Sequence, residues 1–469
     1  MVGLDGVRFQ ETELEMLNAE QAEPLALLVI SYFFPPDSEI GGNRVAGFCR
    51  YFPEFGIRPI VLTIDQASCE AVDPSLRIPD GIQIERVRPE ETLLGRYKRL
   101  RVAAYDSVPL GGSGDHHSRA TSAKGSAVRM LRNQVLAVLQ YPDMYRAWYF
   151  PATKAGKRIG AARKLDAVLS SGPPWTSHAV ASSVARRLRL PWIADFRDEW
   201  TIAPWRKQIR EEQGTPGWRE SLDRWTEARW LRQAALAVCT TNQQRDAVLA
   251  AHPKLTRDRV ITITNGFEPQ ANGFAIGSAT NNQPKILLHA GQLYAGRRIE
   301  SFCQALSAVI RDGRLSRSDI KVRLLGKVNP DIERGAYSSA GELFDDKVIE
   351  ILPRIPRDQA QSEMRKADVL LIIQGQHPTA IPAKFFEYLL TGKPILALVG
   401  PGALHDIVLQ TKSGCVANPE NQLEIEIAIQ KVLQMKTRTS DEVALVAKQY
   451  NFRNLTEQLA QQILSVVPR

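Results

Sequence analysis

The sequence predicts an α/β protein built from two doubly wound, Rossmann-like domains that face a central cleft. The chain has 469 residues, which is too many for one ordinary hydrophobic core. Short apolar runs alternate with amphipathic segments, as expected for parallel strands covered by helices on both faces. This alternation is interrupted once, at the Ala-, Asn- and Gly-rich stretch 271–284, and then begins again. Two successive domains of the same class therefore follow.

The first domain contains seven predicted strands and the second contains five. Those of the first domain are Leu25–Ile30, Arg58–Ile64, Ile82–Val87, Asp166–Ser171, Trp192–Phe196, Leu236–Thr241 and Val260–Thr264. Those of the second are Lys285–Ala290, Lys321–Leu325, Val348–Leu352, Asp368–Ile373 and Ile395–Val399. The predicted divisions are an N-terminal tail (1–24), a first domain (25–270), a linker (271–284), a second domain (285–450) and a C-terminal helix (451–469) that is able to pack back on the first domain.

Charge is concentrated in one part of the first domain. The formal net charge is +9, yet the stretch 86–164 alone holds sixteen Lys and Arg against five Asp and Glu. Such a field attracts anions such as phosphorylated lipid or an acidic membrane face. A solvated insertion without a partner explains the charge equally well. Nucleic acid is not expected, because no basic–aromatic recognition module accompanies the charge.

The basic residues lie largely within a predicted insertion, 88–154, which holds a Gly/Ser/His loop at Gly111–His117. An apolar stripe follows, comprising Val128, Leu131, Val135, Leu136 and Leu139, with Arg129 and Arg132 beside it. This stripe suits either a membrane surface or the domain core, and we favour the core.

The rest of the composition indicates a cytoplasmic protein, with any membrane contact peripheral at the inner face. No apolar run approaches the roughly 20 residues of a spanning helix, and the polar, acidic start does not resemble a signal peptide. The five cysteines are far apart and have neither metal-ligand nor redox spacing, which favours free thiols in a reducing compartment.

Two candidate loops follow strands of the first domain. Ser31–Gly42 ends in Gly41 and Gly42, which open a helix and allow backbone N–H groups to approach a phosphate; a plain Pro/Gly turn is the alternative. Asp195 lies at the end of a predicted buried strand and Asp198 just after it, and the Ser170–Trp175 segment is likewise at a strand end. These carboxylates suit either acceptor orientation or a structural ion pair. No G-x-G-x-x-G fingerprint follows the first strand, which disfavours a nicotinamide oxidoreductase.

Two further candidate loops lie in the second domain. In His289–Arg298, Gly291 and Gly296 give a strand-to-helix loop, and Arg297 and Arg298 are expected in the first turn of the helix, where they suit a diphosphate.

In Thr379–Pro394, Pro382 is expected at the first helical position, and Lys384 and Glu387 share one helix face. Glu387 suits the ribose hydroxyls, and the amides near Thr379 and Ile381 suit the phosphates. A surface Lys–Glu pair is the alternative.

Taken in order, five segments resemble the family 4 glycosyltransferases, which are retaining enzymes of the GT-B fold. The segments are FFPPDSEIGGNR, SSGPPWTSH, PWIADFRDEW, HAGQLYAGRR and IPAKFFEYLLTGKPILAL. The resemblance covers about Ala26 to Tyr450. It implies that the Gly41–Gly42 loop contacts donor phosphate or acceptor, that Arg297 and, less directly, Arg298 stabilise the diphosphate, and that Glu387 binds the ribose.

The chain departs from that family at two positions. Many members have two glutamates separated by seven residues, but the position eight before Glu387 is Thr379. The basic residue that follows the loop glycine is replaced by Gln292. A related branch with a P-x-K-x-x-E-Y segment also lacks the first glutamate, and this chain resembles that branch.

The expected function is therefore transfer of a sugar from a nucleotide-diphosphate-sugar donor to a glycan or lipid-linked acceptor in bacterial surface polysaccharide synthesis. No Asp-x-Asp motif or His/carboxylate cluster predicts a metal, and no cofactor is expected. Two alternatives stay open: a nucleotide-sugar epimerase of the GT-B fold, and a non-catalytic scaffold that binds nucleotide-sugar.

Overall fold

The computed structural model describes eleven stretches of the chain. They are residues 23–39, 41–73, 76, 78, 80–90, 134–204, 206, 216–268, 284–294, 297–375 and 377–468. Most of the predicted tail, residues 91–133 of the basic insertion, most of the linker and Gly296 lie outside these residues. The predictions made for those segments therefore stay predictions.

Thirteen strands in the described chain form two sheets in which all paired strands run parallel. The first sheet has the order β3-β2-β1-β4-β5-β6-β7 and the second the order β10-β9-β8-β11-β12-β13. The strands are β1 (Leu25–Ile30), β2 (Ile57–Ile64), β3 (Gln83–Val87), β4 (Ala167–Gly172), β5 (Trp192–Phe196), β6 (Leu236–Cys239), β7 (Val260–Thr262), β8 (Lys285–Ala290), β9 (Ile320–Leu325), β10 (Ile349–Leu352), β11 (Val369–Gly375), β12 (Ile395–Val399) and β13 (Gly414–Ala417).

Helices cover both faces of each sheet. They are α1 (Gly41–Tyr51), α2 (Tyr149–Ala162), α3 (Trp175–Leu188), α4 (Gly217–Gln233), α5 (Asn242–Ala251), α6 (Glu300–Arg311), α7 (Pro330–Asp345), α8 (Arg357–Lys366), α9 (Ala383–Leu389), α10 (Ala403–Gln410), α11 (Gln422–Leu433), α12 (Ser440–Tyr450) and α13 (Phe452–Val466). Short 3₁₀ turns occur at Phe52–Phe55, Gln66–Ser68, Arg146–Trp148, Arg257–Arg259 and Arg317–Asp319. The parallel sheets and their helical layers confirm the predicted two-domain, doubly wound α/β fold.

The sheets are held by apolar layers on both faces, as the continuous apolar strands predict. In β1, Leu28 and Ile30 contribute to one buried cluster while Leu27 and Val29 contribute to the cluster on the opposite face. Burial of each such side chain contributes roughly 1.5–3 kcal/mol to stability. The sequence analysis missed β13 because it is a four-residue edge strand, too short for a pattern of its own.

The C-terminal helix α13 packs on the first domain. Phe452 places its ring against Phe48 of α1, with ring centroids 5.9 Å apart. A side chain at Gly47 would collide with the Phe452 ring, so the glycine permits this close contact. Backbone hydrogen bonds join Phe267 to Tyr450 and Phe452 where the chain crosses between the domains. The helix thereby ties the end of the chain to the domain in which the chain begins.

The strand order determines where ligands can bind. Each sheet reverses its winding direction at one place, between β1 and β4 in the first domain and between β8 and β11 in the second. Doubly wound sheets bind ligands in the crevice outside the carboxyl ends of the strands at this switch point. The loops that follow β1, β8 and β11 are three of the segments chosen from sequence, so the topology brings them to the binding edges.

Candidate functional site

In the loop after β1, the two glycines are required by close packing within the protein. A Cβ atom on Gly41 would lie 2.5 Å from the Arg197 guanidinium, and one on Gly42 would lie 3.2 Å from the Phe34 backbone. Arg197 donates from Nη1 to the Gly41 carbonyl at 2.8 Å and also hydrogen-bonds the Pro173 carbonyl. Gly41 therefore allows Arg197, the residue that follows β5, to approach the start of α1. A role for this loop in phosphate binding stays a prediction.

Asp195 forms a buried ion pair with Arg44. The carboxylate is 1% exposed and the guanidinium 3%, with Arg44 Nη2 2.9 Å from Asp195 Oδ1. Ser171 Oγ donates to the other carboxylate oxygen at 2.8 Å. Arg44 also donates to the carbonyls of Ile263 and Thr264. Because its oxygens accept these bonds, Asp195 forms the structural ion pair that was the alternative interpretation, and a catalytic role for it stays a prediction.

Asp198 and Glu199 lie just beyond β5 and differ sharply in exposure. Asp198 is exposed, whereas Glu199 is 8% exposed. The pKa of Glu199 is raised to about 7, mainly by burial; the Thr379 hydroxyl lowers it, and the neighbouring carboxylates of Asp198 and Glu227 add to the rise. Burial also raises the pKa of Asp198, against the charge of Arg197. By exposed surface, Asp198 is nevertheless the more accessible of the two carboxylates.

His289 occupies the end of β8 and presents a free acceptor atom. Its Nδ1 lies 2.9 Å from the Leu371 carbonyl, which only accepts hydrogen bonds, so Nδ1 carries the proton. Burial lowers the pKa of His289 to about 4; the bond to Leu371 opposes this, and the charges of Arg297 and Lys384 add to it. The ring is therefore neutral at pH 7, and Nε2 is a buried acceptor with no partner among the described residues.

The two arginines after β8 do not enter the helix as predicted. Helix α6 begins at Glu300, so Arg297 and Arg298 lie in the loop before it. Arg297 is half-buried, with its guanidinium 4.6 Å from the centroid of the Tyr294 ring. Arg298 is exposed and pairs with Glu300 at 2.5 Å. Arg297 is therefore the better placed of the two for a bound anion, and the prediction for Arg298 weakens.

Helix α9 holds Lys384 and Glu387 together, as their spacing predicts. Lys384 Nζ donates to Glu387 Oε2 at 2.7 Å, and both side chains are partly exposed. The helix begins at Ala383, so Pro382 is the residue before it rather than its first residue. Tyr388 accepts a hydrogen bond from the Ala290 amide through its hydroxyl at 2.8 Å. That bond fixes α9 against the end of β8.

The cationic side chains of the second domain converge on one place. Burial is the main cause that lowers the pKa of His289 and that of His377; the charge of Arg297 adds to both shifts and that of Lys384 to the shift of His289, so both cations are within electrostatic range of His289. Lys384 in turn holds Glu387. We call this group the cationic cluster: His289, Arg297 and Lys384 beside the Gly291 turn. Two positive charges next to an unpaired acceptor provide binding for an anion that also carries hydroxyl groups.

The loop between β11 and α9 touches the first domain. Thr241 hydrogen-bonds the Thr379 carbonyl through its hydroxyl, and the Thr379 side chain lies close enough to Glu199 to lower the pKa of that carboxyl. Farther out, Gln243 Nε2 donates to Asp406 Oδ2 at 2.8 Å. The neighbouring Ile381 is half-buried. Thr379 and Ile381 therefore border the seam between the domains rather than a helix start, which begins only at Ala383.

Two residues of interest, His289 and Glu199, were not singled out from sequence. Each lies at or just beyond the end of a strand, inside a segment that the sequence analysis had already selected. Their position in the sequence does not distinguish them from neighbouring residues. What distinguishes them is a buried polar atom without a hydrogen-bond partner, and only the three-dimensional structure shows this property.

The described residues contain neither a metal-binding cluster nor a membrane-spanning helix. Within those ranges, no three His, Cys, Asp or Glu side chains gather in a way that would hold a metal ion. In the same part of the chain, no helix combines the length and the apolarity needed to cross a membrane. All five cysteines are free thiols.

Comparison with known families gives one match. Residues 284–435 match the family model described as "Glycosyl transferases group 1". The matched segment includes both candidate loops of the second domain and the whole cationic cluster. No curated protein sequence matches the chain.

Comparison with solved structures shows that the fold extends over nearly the whole chain. HepE of Anabaena, in complex with UDP and glucose, aligns with a TM-score of 0.58 and 12% identity over 94% of this chain and 100% of its own. The lipopolysaccharide outer core galactosyltransferase WaaB, in its apo form, aligns at 0.53 and 10% over 94% and 99%. Trehalose-6-phosphate synthase OtsA aligns at 0.60 and 13% over 95% and 100%. The chain therefore has the GT-B fold, and its second domain matches the group 1 glycosyl transferases.

Proposed function

We propose that the protein is a glycosyltransferase that moves a sugar from a nucleotide-diphosphate-sugar donor to a glycan or lipid-linked acceptor. The observation that carries this proposal is the cationic cluster at the end of β8, inside the segment that matches the group 1 glycosyl transferases. Two cations and an unpaired imidazole nitrogen suit a ligand that combines a diphosphate with hydroxyl groups. The UDP and UDP-glucose complexes of Anabaena HepE support a donor of this class.

The proposed chemistry assigns different tasks to the two domains. Arg297 and Lys384 bind the donor diphosphate and stabilise its charge as it leaves, while Glu387 accepts hydroxyls of the ribose. The acceptor enters from the first domain, where Asp198 is the exposed carboxylate. The acceptor hydroxyl attacks from the side of the leaving group, with retention, and a donor phosphate oxygen takes its proton. Closure of the domains excludes water. We include no metal ion and no cofactor in this scheme.

The test is thermal stabilisation against a panel of nucleoside diphosphates and their sugar conjugates, followed by a transfer assay. A ligand at a hundred times its Kd adds about 2.7 kcal/mol to stability. We expect one nucleotide-sugar to stabilise the wild type selectively and Glu387→Ala to lose this effect.

Glu363→Ala is a matched control, because Glu363 also pairs with a lysine three residues away, Lys366, at 2.8 Å. If the nucleotide-sugar stabilises Glu387→Ala and Glu363→Ala equally, Glu387 does not bind the donor. If no donor stabilises the wild type, the proposed function is refuted. Sugar transfer separates a transferase from a scaffold, and conversion of the donor without an acceptor would identify an epimerase.

We further propose that the first domain contacts an anionic membrane peripherally from the cytoplasm, where bacterial surface polysaccharides are assembled. Support comes from exposed apolar side chains within the basic insertion, Val135, Val138, Leu139 and Met144, and from Trp218 of α4, each at least 41% exposed. Val135 and Leu139 belong to the apolar stripe, so the described part of the stripe does not lie in the core as expected. Trp218 Nε1 donates to Gln134 Oε1 at 2.6 Å, which joins α4 to the segment 134–139. Co-sedimentation with anionic but not neutral vesicles would support this contact, and indifference to both would exclude it.

A further inference from the structure

Three buried polar atoms without partners lie along the seam between the domains. They are Glu199 Oε2, Thr379 Oγ1 and Gln374 Oε1, and none has a partner in hydrogen-bonding geometry among the described residues. A buried polar group left unpaired costs roughly 1–3 kcal/mol. Native proteins rarely keep such atoms without a reason, and binding of a ligand is one.

The three atoms belong to one small region. The Thr379 side chain lies close enough to the Glu199 carboxyl to lower its pKa, although the two do not align as a hydrogen bond. Gln374 donates from Nε2 to the carbonyls of His377 and Ala380, so its amide lies against the loop that carries Thr379. Thr241 of the first domain fixes the same loop through the Thr379 carbonyl. These hydrogen bonds hold the loop in a defined position at the seam between the domains.

The charge of Arg297 reaches the loop that carries Thr379. Burial lowers the pKa of His377 in that loop, and Arg297 lowers it further, so the arginine is within electrostatic range of the loop. The loop therefore has cations on one side and a buried carboxyl from the first domain on the other. A ligand that spans the loop meets positive charge at one end and acceptor oxygens at the other.

The chemistry of the free atoms identifies the ligand group they need. In its ionised form the Glu199 carboxylate only accepts hydrogen bonds, as the Gln374 amide oxygen does, and a threonine hydroxyl donates or accepts. A diphosphate at neutral pH has no donors to offer them. A sugar ring attached to that diphosphate does, because each of its hydroxyl groups donates.

We propose that Glu199, together with Thr379 and Gln374, binds hydroxyl groups of the transferred sugar, so that the sugar subsite takes a carboxyl from the first domain. This proposal rests on the proposed function, because it concerns the sugar of the same donor. Its consequence is that the donor sugar is fully bound only when both domains meet around the loop that carries Thr379.

The proposal also predicts a proton release. The charged groups that act on Glu199 are Asp198, on the same segment, and Glu227 of α4, both of which raise its pKa. Glu227 is itself bound to the Thr201 amide at 3.2 Å and lies 3.3 Å from His252 Nε2. Hydroxyl donors favour the ionised carboxyl, so binding of the sugar lowers the pKa of Glu199. Affinity for the nucleotide-sugar then rises between pH 6 and pH 8 more than affinity for the nucleoside diphosphate.

The experiment compares two ligands, the nucleotide-sugar that best stabilises the wild type and its parent nucleoside diphosphate, by calorimetric titration at pH 6 and pH 8. We expect Glu199→Gln to lower the affinity for the nucleotide-sugar about tenfold and to change the affinity for the nucleoside diphosphate less than twofold. The difference in nucleotide-sugar affinity between pH 6 and pH 8 should also become smaller. Glu85→Gln, on the edge strand β3 with Arg158 as its partner, is the matched control and should change neither ligand.

Three outcomes would overturn the inference. If Glu199→Gln lowers the affinity for both ligands equally, the role of Glu199 is merely structural. If it lowers the affinity for neither ligand, Glu199 has no role in binding. If Glu199→Gln does not fold, Thr379→Val removes the facing hydroxyl and must produce the same selective loss. Binding of nucleotide-sugar with no effect of these variants refutes this inference alone. Failure of the wild type to bind any nucleotide-sugar refutes the proposed function and, with it, this inference.

Discussion

The ends of the two sheets use their charged residues in opposite ways. At the switch point of the first domain, Arg44, Asp195 and Arg197 bind one another or nearby backbone carbonyls, so their hydrogen-bonding capacity is consumed inside the protein. At the switch point of the second domain, Arg297 contacts only an aromatic ring in the described structure, and His289 keeps an unpaired nitrogen. Equivalent positions in two similar domains therefore have different roles. The charged residues of the first domain stabilise its fold, whereas those of the second remain available to a ligand.

The largest effect should follow from breaking the internal pair of the first domain. Asp195→Ala leaves the Arg44 guanidinium buried without its carboxylate, and we expect a loss of about 3–5 kcal/mol in the free energy of unfolding. Denaturant titration measures this loss. If Asp195→Ala is as stable as the wild type but deficient in ligand binding, Asp195 is a ligand-binding residue, and the comparison is contradicted.

The second largest effect should come from the available arginine of the second domain. Arg297→Ala removes charge that faces the proposed diphosphate, and we expect affinity for the nucleoside diphosphate to fall up to roughly a hundredfold, or about 2.7 kcal/mol. Stability should change by less than about 0.5 kcal/mol. Arg311→Ala, at the exposed end of α6, is the control for loss of one positive charge. A large loss of stability without loss of binding would place Arg297 among the structural residues.

The third prediction concerns the pH dependence of stability at the seam. The folded-state pKa of Glu199, about 7, lies above the ordinary value of 4.5, so the folded protein holds the proton more tightly than the unfolded chain. Stability from this group is complete below pH 4.5 and is lost as pH rises through 7. Glu199→Gln should therefore be more stable than the wild type at pH 8 by about 3 kcal/mol and equal to it near pH 4.5. Melting curves across this range test the slope, and parallel curves for the two proteins would contradict it.

The smallest effect should be that of Arg298. It is exposed and pairs with Glu300 at the surface, where such pairs contribute about 0–1 kcal/mol. Arg298→Ala should change stability by less than about 0.5 kcal/mol and nucleoside diphosphate affinity less than threefold, as measured by calorimetric titration beside Arg297→Ala. A loss equal to that of Arg297 would show that both arginines face the ligand.

The candidate site was predicted in part from sequence, and the limits of that prediction have a physical cause. The pattern located the loops after β1, β5, β8 and β11, because strand ends and glycines are local features. It also placed Lys384 beside Glu387, which follows from helical geometry alone. It could not rank Asp195 against Asp198, since both follow the same strand and differ only in what surrounds them. The sequence analysis also expected Arg297 in the first turn of α6, but the helix begins three residues later, at Glu300.

The sequence by itself determined the two-domain α/β fold, the positions of most strands and the segments that form the edges of the crevice, because hydrophobic periodicity and turn chemistry are written locally along the chain. Tertiary structure alone decided which charged side chains are available. Arg44 and Asp195 are 151 residues apart in sequence, and Glu199 and Thr379 belong to different domains. Whether a polar group is satisfied depends on neighbours that only folding brings within hydrogen-bonding distance.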